Sequence, residues 1–418
     1  MILGCIGDDF TGSSDLGNTL RKKGMHVVQY NGIPEHAAES DVDAGIIALK
    51  SRSCSASVAK RDALLALDWL KRQGCRQFFF KYCSTFDSTR EGNIGPVAES
   101  LLEALGETTT VFCPAFPATG RSVYQGHLFV NNTLLNESGM ESHPLTPMVD
   151  SDIRRWLSYQ VESEVGHIPF TTVSQGANAI TRRIDELTRK NQNLIVIDAI
   201  LDTDLYAIGQ AVCDLRLITG GSGVAQGLPE NYRIKGWISA CETKWTPNPA
   251  PAVVLSGSCS SATRRQVQHH LGTRPAMEID VDALIHNALD TAHLVNWCIE
   301  HQHDLPMIYS SAEPDRVERL QSKYGAENIA ERIETLFAEC APDLVASGFG
   351  RIVVAGGETS GAVVQALKCS QLEIGPEIDP GVPAVRDPQS GVALALKSGN
   401  FGAIDFFEKA AHVLSTPS

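Results

Sequence analysis

The chain lacks any apolar run approaching the roughly 20 residues needed to cross a bilayer as a helix, which excludes a helical membrane protein. Its eleven cysteines include no Cys-x-x-Cys pair. An odd, scattered set, with no secretory leader before the first motif, points to free thiols in a reducing cytoplasm. Positive charge is in deficit: 35 Lys and Arg stand against 49 Asp and Glu, a formal net charge of −14. That balance argues against nucleic acid or an anionic membrane as partner, because both recruit basic surfaces. Histidines with metal-ligand spacing are missing too. A tight pair, His301 and His303 in "CIEHQHDLP", has no third ligand and reads as a solvated helix end. No short-period repeat and no low-complexity segment is found.

What is there is a soluble globular composition, 43% apolar and 20% charged, spread over 418 residues. That length is too great for one ordinary core and implies two domains. Short apolar or β-branched runs alternate with amphipathic stretches, the pattern of βα units around a mostly parallel sheet. The first half offers "MILGCI", "AGIIAL", "QFFFKYC", "TTVFCPAF", "NLIVIDAI" and "LRLITGG" as strands. The segment "SACETKWTPNPAP", Ser239 to Pro251, holds three prolines and little periodicity, as a linker or hinge would. A second series follows: "AVVLSG", "MEIDV", "PMIYSS", "RIVVAGG" and "GVALALKSG". The expected fold is therefore α/β, two Rossmann-like domains with mostly parallel sheets and a ligand cleft between them, divided into residues 1–245 and 246–418.

In open parallel sheets ligands bind beyond the carboxyl ends of the strands, so the residues leaving each run matter most. The first run exits as "GDDFTGSSD", placing Asp8 and Asp9 at the sheet edge and Asp15 just beyond, with serines suited to start a helix. One aspartate could simply cap the turn and the other be solvated; the flanking glycines and hydroxyls favour a functional pair. Lys50 and Arg52 leave the second run in "ALKSRS", and Lys81, Asp87 and Arg90 leave the third in "FKYCSTFDSTREGNIG". Arg121 lies in the fourth exit, "CPAFPATGRSVYQG". Each could be an ordinary surface charge. Basic and hydroxyl-reading side chains recurring at strand ends of an acidic protein suggest a pocket for a small hydroxylated carboxylate.

The second half carries glycine-rich turns instead: "SGSCSSATRR", "GGETSGAVV" and "LKSGNFG". Glycine lets backbone approach a ligand, and the free amides of a helix start attract phosphate. Neither of the first two turns is a Walker loop or Gly-x-Gly-x-x-Gly, and tight turns in plain Rossmann-like packing would explain one of them easily. A basic, hydroxyl-reading half joined to a phosphate-cradling half reads as a phosphoryl-transfer enzyme, with Asp9 and Asp8 orienting or deprotonating the attacking hydroxyl. Mg²⁺ would bridge the nucleotide phosphates, with protein ligands that spacing does not identify. A phosphatase with an aspartyl nucleophile is the rival from the same motif; it would show Asp-x-Asp rather than an adjacent pair.

The ordered blocks "GDDFTGSSDLGNTLRKKGM", "ALKSRS", "KYCSTFDSTREGNIGPV", "CPAFPATGRSVYQGHLFVN", "HPLTPMVDSDIRRWL", "TGGSGVAQGLP" and "VVAGGETSGAVVQAL" together resemble the four-carbon acid sugar kinase family over residues 1 to about 410. The family often opens "ADDFTGATD"; Gly7, Ser13 and Ser14 depart from that while keeping the turn small. The resemblance implies an ATP-dependent phosphotransferase with an alcohol acceptor, acting at O4 of a four-carbon acid sugar. A 3-oxo-tetronate is the first choice and D-threonate or D-erythronate the alternative. It implies acid sugar on the amino-terminal domain and nucleotide on the carboxyl-terminal one, at Ser258, Gly356, Gly357, Glu358, Thr359, Ser360 and Gly399. An acid-sugar-binding sensor is the non-enzymatic alternative. Base rates for enzymes of this size favour a symmetric homodimer.

Overall fold

The computed structural model describes residues 1–142, 145–239, 245–289, 291–311, 319–320 and 322–417. The chain divides into two compact units, Met1–Thr243 and Lys244–Ser418. Part of the expected linker, residues 240–244, lies outside the described residues.

The first unit is built on β1 (Leu3–Gly7), β2 (Val27–Asn31), β3 (Ala44–Ala48), β4 (Gln77–Lys81) and β5 (Thr110–Cys113). A small antiparallel ribbon follows, β6 (Arg121–Tyr124), β7 (His127–Val130) and β8 (Thr133–Leu134), and then β9 (Val165–Ile168), β10 (Leu194–Ile197) and β11 (Leu217–Gly220). The main strands are parallel, in the order β2-β3-β1-β4-β11-β5-β10-β9. Helices cover both faces of such sheets, so central strands read as unbroken apolar runs, and β1, β3, β4, β5 and β10 are buried at every position. The helix Ala56–Arg72 buries Ala59, Ala63, Ala66, Leu67 and Leu70, one face at a 3.6-residue period.

β2 and β9 escape the sequence reading because each carries a polar residue within its run. Gln29 in β2 is fully buried, yet its carbonyl accepts from Ser14 Oγ at 2.8 Å and its amide donates to Asn31 Oδ1 at 3.2 Å. His167 in β9 lies 2.9 Å from the buried carboxylate of Asp198. Asp198 also accepts from the backbone N–H groups of Gln125, Gly126 and Phe170, which fixes the turn of the β6–β7 ribbon.

The second unit contains β12 (Ala252–Ser256), β13 (Ala276–Glu278), β14 (Met307–Tyr309), β15 (Arg351–Ala355), β16 (Gln371–Asp379), β17 (Val382–Arg386) and β18 (Ala393–Lys397). The order is β13-β14-β12-β15-β18-β17-β16, parallel as far as β18 and antiparallel beyond it. β16 and β17 are absent from the sequence reading because Gly375, Pro376 and Pro383 are strand breakers. The structure absorbs the first two with a register irregularity between Ile374 and Glu377. Trp245, Val254, Val353, Phe406 and Phe407 are among the residues of this unit's core.

Candidate active site

In the first unit the exit of β1 is organised by Arg52. Its guanidinium forks onto Asp8, Nε to Oδ2 at 3.0 Å and Nη2 to Oδ1 at 2.9 Å, and Nη2 also reaches Asp9 Oδ1 at 2.7 Å. Planar bidentate pairing of this kind is strong and directional. Asp9 caps the helix Phe10–Arg21, accepting from Gly12 N at 3.1 Å and from Thr11 Oγ1 at 3.1 Å. Glycine at position 12 leaves room for these groups: a Cβ there would lie 2.3 Å from Asp9 Oδ1 and 2.9 Å from Lys81 Nζ and would displace both side-chain ends.

The two aspartates differ. Burial pushes the Asp8 carboxyl above its ordinary value despite the opposing pull of Arg52. Burial pushes Asp9 up too, but Arg52, Lys81, the Gly12 N–H and the Thr11 hydroxyl together outweigh it and hold Asp9 below the ordinary value. The Asp8 side chain is 6% exposed and that of Asp9 25%. Asp8 is thus the buried brace of Arg52, and Asp9 is the more exposed carboxylate of the pair.

The exit of β4 forms the adjoining wall. Lys81, buried, donates to Tyr82 O at 2.8 Å. Cys83 stands among the charges: burial and then Asp87 push its thiol up to about 11, while Arg52 and Lys81 pull the other way. Phe86 adopts a left-handed conformation, φ +57°, although fully buried, a rare state for a bulky residue and a mark of a constrained loop. Asp87 next to it is buried, and its Oδ1 has no hydrogen-bond partner among the described residues. A buried carboxylate oxygen left in that state is costly without a ligand or water to meet it. Asn93 Nδ2 donates to the carbonyls of Ser51 and Cys54 at 2.6 and 2.8 Å, tying this loop to the one that carries Arg52.

Among the other expected acceptor residues, Asp15 is buried and accepts from Ser222 Oγ at 2.5 Å, joining the β1 turn to the glycine-rich exit of β11. Lys50 is exposed. Arg90 is exposed and stacks its guanidinium 4.6 Å from the Tyr159 ring centre. Arg121 sits at the start of β6 and donates through Nη1 to Thr119 O. The structure therefore brings Asp8, Asp9, Arg52 and Lys81 into one cluster, with Asp87 across Cys83. Asn93, Ser222 and Cys83 were not singled out from sequence; their position in the quoted strand-exit blocks is the signal that was there.

In the second unit three strand exits are stitched together by hydrogen bonds. Gly257 N and Ser258 N donate to Ala355 O at 3.0 and 3.1 Å, and Gly356 N donates to Lys397 O at 2.9 Å. Gly399 O accepts from Ser260 Oγ at 2.5 Å and Thr263 Oγ1 at 2.9 Å. A Cβ on Gly399 would come 2.6 Å from Ser258 Oγ and would displace that hydroxyl. Ser260 caps the helix Ser261–Leu271, and Gly356, with φ +131°, precedes the helix Gly357–Ala366. Thr359 and Ser360 are buried in the first turn of that helix while Glu358 is exposed. Two helix starts and a glycine turn, all beyond the strand ends, form a cradle of N–H groups and hydroxyls suited to phosphate. Ser311 supports it from the exit of β14, its Oγ donating to Ser258 O at 2.6 Å.

Family models agree with this division: a sugar-binding N-terminal domain matches residues 3–228 and a nucleotide-binding C-terminal domain matches residues 253–407. The chain is 49% identical to a 3-oxo-tetronate kinase of Burkholderia multivorans, covering 99% of this chain and 97% of the relative. It is 50% identical to one of Pseudomonas fluorescens, covering 98% and 96%. The crystal structure of a Salmonella typhimurium LT2 protein, described provisionally as a tRNA synthase, superposes with a TM-score of 0.89 at 41% identity, covering 98% of each chain. That of a Haemophilus influenzae protein gives 0.81 at 41% identity, covering 98% of this chain and 100% of the other. Charge cluster, phosphate cradle and near-full-length similarity converge: the chain belongs to the four-carbon acid sugar kinase family, alongside the 3-oxo-tetronate kinases.

Proposed function

We propose that the protein is an ATP-dependent 3-oxo-tetronate 4-kinase. The O4 hydroxyl of the acid sugar attacks the γ-phosphorus, the O4–P bond forms, the bond to the β-phosphate oxygen breaks, and ADP leaves as the hydroxyl proton is released. What carries the reading is similarity to 3-oxo-tetronate kinases that runs through both units, each with its own built site.

Asp9 suits an acceptor-orienting role. It is ionised at neutral pH, partly exposed and fixed by Arg52, Gly12 and Thr11, so it presents a rigid carboxylate edge to a hydroxyl. A carboxylate held below its ordinary pKa is a weak base, and the loose transition state of phosphoryl transfer asks for positioning more than early deprotonation. Asp8 keeps Arg52 in place. Arg52 and Lys81 supply positive charge for the substrate carboxylate, and the unpartnered Oδ1 of Asp87 supplies a hydroxyl acceptor. Asp15, Lys50, Arg90 and Arg121 complete the proposed acceptor side. Ser258, Gly356, Gly357, Glu358, Thr359, Ser360 and Gly399 are the proposed nucleotide contacts.

No group of three His, Cys, Asp or Glu able to hold a metal occurs among the described residues. That fits Mg²⁺ arriving on the nucleotide, since this ion is commonly held by phosphates, waters and one or two carboxylates. Glu358 is the carboxylate we assign to it; the ion would neutralise phosphate charge. No described helix is long and apolar enough to cross a membrane. The free thiols of the described cysteines support a reducing cytoplasm as the compartment, and we infer a symmetric homodimer from the frequency of such assemblies alone.

A coupled ADP-release assay tests the reading, with ATP, Mg²⁺ and a panel of both 3-oxo-tetronate enantiomers, D- and L-threonate, and D- and L-erythronate. ADP is expected with one 3-oxo acid only. Turnover of a hydroxy acid alone would move the chain to the threonate or erythronate kinases. Binding without turnover of any acid would make it a sensor.

A further inference from the structure

Lys397, the last residue of β18, is fully buried. Its Nζ donates to Thr263 Oγ1 at 2.8 Å, Gly399 O at 3.0 Å and Ser398 O at 3.2 Å, which uses all three ammonium hydrogens. The Phe406 ring lies 5.9 Å away. These are the groups that face it from the helix Ser261–Leu271, from its own turn and from the helix Phe406–Ser415. Among the described residues no carboxylate comes within ion-pairing distance.

A buried charge with no counter-charge is a standing cost to the fold, and buried lysines are otherwise almost always paired. This one is wired to the phosphate cradle. Gly399 O takes the ammonium together with the Ser260 and Thr263 hydroxyls, and a Cβ on Gly399 would run into Ser258 Oγ. Lys397 O holds Gly356 N, the start of the second turn. One residue thus reaches the exits of β12, β15 and β18.

We propose that Lys397 is a positioning residue of the nucleotide site: acting through Gly399, it fixes the three turns, and its ammonium is the buried counter-charge of the nucleotide phosphates. The proposal rests on the kinase reading above. Burial alone pulls the Lys397 ammonium down to about 7, so near neutral pH the unliganded protein holds it partly deprotonated. An arriving polyanion favours the charged form, so nucleotide binding takes up a proton, and affinity falls as pH rises above about 7.

The test is calorimetric titration of Mg-ADP into the full chain at pH 7.5 in two buffers of different ionisation enthalpy, repeated from pH 6.5 to 8.5. Wild type is expected to show buffer-dependent heat corresponding to proton uptake, and a several-fold loss of affinity across the range. Lys397→Met should weaken Mg-ADP at least tenfold at pH 6.5, lose the Lys-linked uptake, and leave acid-sugar binding unchanged. Lys397→Arg, whose charge does not titrate, should restore affinity without the excess pH dependence. Titration of the nucleotide's own phosphate is common to all three proteins and drops out of the comparison. The wild-type measurement needs no variant to fold. Identical pH dependence in wild type and Lys397→Met, or affinity within twofold of wild type in that variant, would overturn the proposal. Failure of wild type to bind Mg-ADP at all would instead sink the nucleotide reading, and the proposal with it.

Discussion

The two units solve ligand recognition with opposite materials. In the first, charge is held by charge: Asp8, Asp9, Arg52 and Lys81 form a partly desolvated ionic cluster, and beside it Asp87 Oδ1 has no hydrogen-bond partner among the described residues. In the second, backbone N–H groups and the hydroxyls of Ser258, Ser260, Thr263 and Thr359 line the proposed nucleotide site, with the buried ammonium of Lys397 behind it. The difference follows from what each must bind. A small acid sugar offers few atoms, so discrimination must come from strong, directional pairs that leave a buried charge unpaired when the wrong molecule enters. A nucleotide brings its own multiple charge and needs many weak dipoles arranged in advance.

The largest effect should come from breaking the ionic cluster. Arg52→Met leaves two carboxylates facing each other with Lys81 as their remaining counter-charge, and we expect a loss of about 3–5 kcal/mol of stability in urea unfolding, with turnover abolished. A loss below about 1 kcal/mol would show that the cluster is solvated in practice and that the contrast between the units is overdrawn.

Paired glycine variants test the contrast more sharply. Gly12→Ala drives a methyl into Asp9 and Lys81, and should raise the acid-sugar KM about tenfold or more, roughly 1.4 kcal/mol, while Mg-ADP affinity holds. Gly399→Ala drives one into Ser258 and should do the reverse. Equal effects of either variant on both ligands, measured by steady-state kinetics and calorimetry, would mean that the two sites are not separable.

Asp87→Asn should split stability from activity. Removing a buried charge with an unpartnered oxygen is expected to leave the melting temperature unchanged or raise it, while acid-sugar binding weakens about tenfold. A clear fall in melting temperature would assign Asp87 to the scaffold instead.

The smallest effect is on pH. The folded-state pKa of Lys397, about 7, lies below the free-lysine value near 10.4, so the unfolded chain binds more protons between them. This group's contribution therefore makes stability rise with pH across that window. Comparing urea midpoints of wild type and Lys397→Met at pH 7 and 9 isolates it, with the variant flatter; equal slopes would show that the lysine titrates normally.

Much of the site was legible locally. The basic exits at Arg52 and Lys81 and the seryl turn before the helix Ser261–Leu271 are short-range devices whose residue types announce them, whereas the first helix starts earlier than its serines suggested: Asp9 caps it and Ser13 and Ser14 lie buried within it. The strands whose runs are unbroken and apolar were legible for the same reason. β2, β9, β16 and β17 were not, because a buried glutamine, a paired histidine and strand-breaking prolines contradict the pattern until a partner elsewhere satisfies them. Lys397 sat in plain view in "LALKSGNFG", in the same strand-exit position as Lys81, but nothing in that stretch says whether the ammonium faces water or the core.

The sequence by itself determined the α/β class, two units, an acidic balance of charge and the set of polar turns at the strand exits, since each depends on composition or on residues a few positions apart. Only the tertiary structure decided which of those turns touch. Arg52 lies 44 residues from Asp8, Lys397 134 from Thr263, and Ser222 207 from Asp15. Strand order brings each pair together, and strand order is set by the packing of whole layers, an energy summed over many distant contacts that no single stretch of the chain contains.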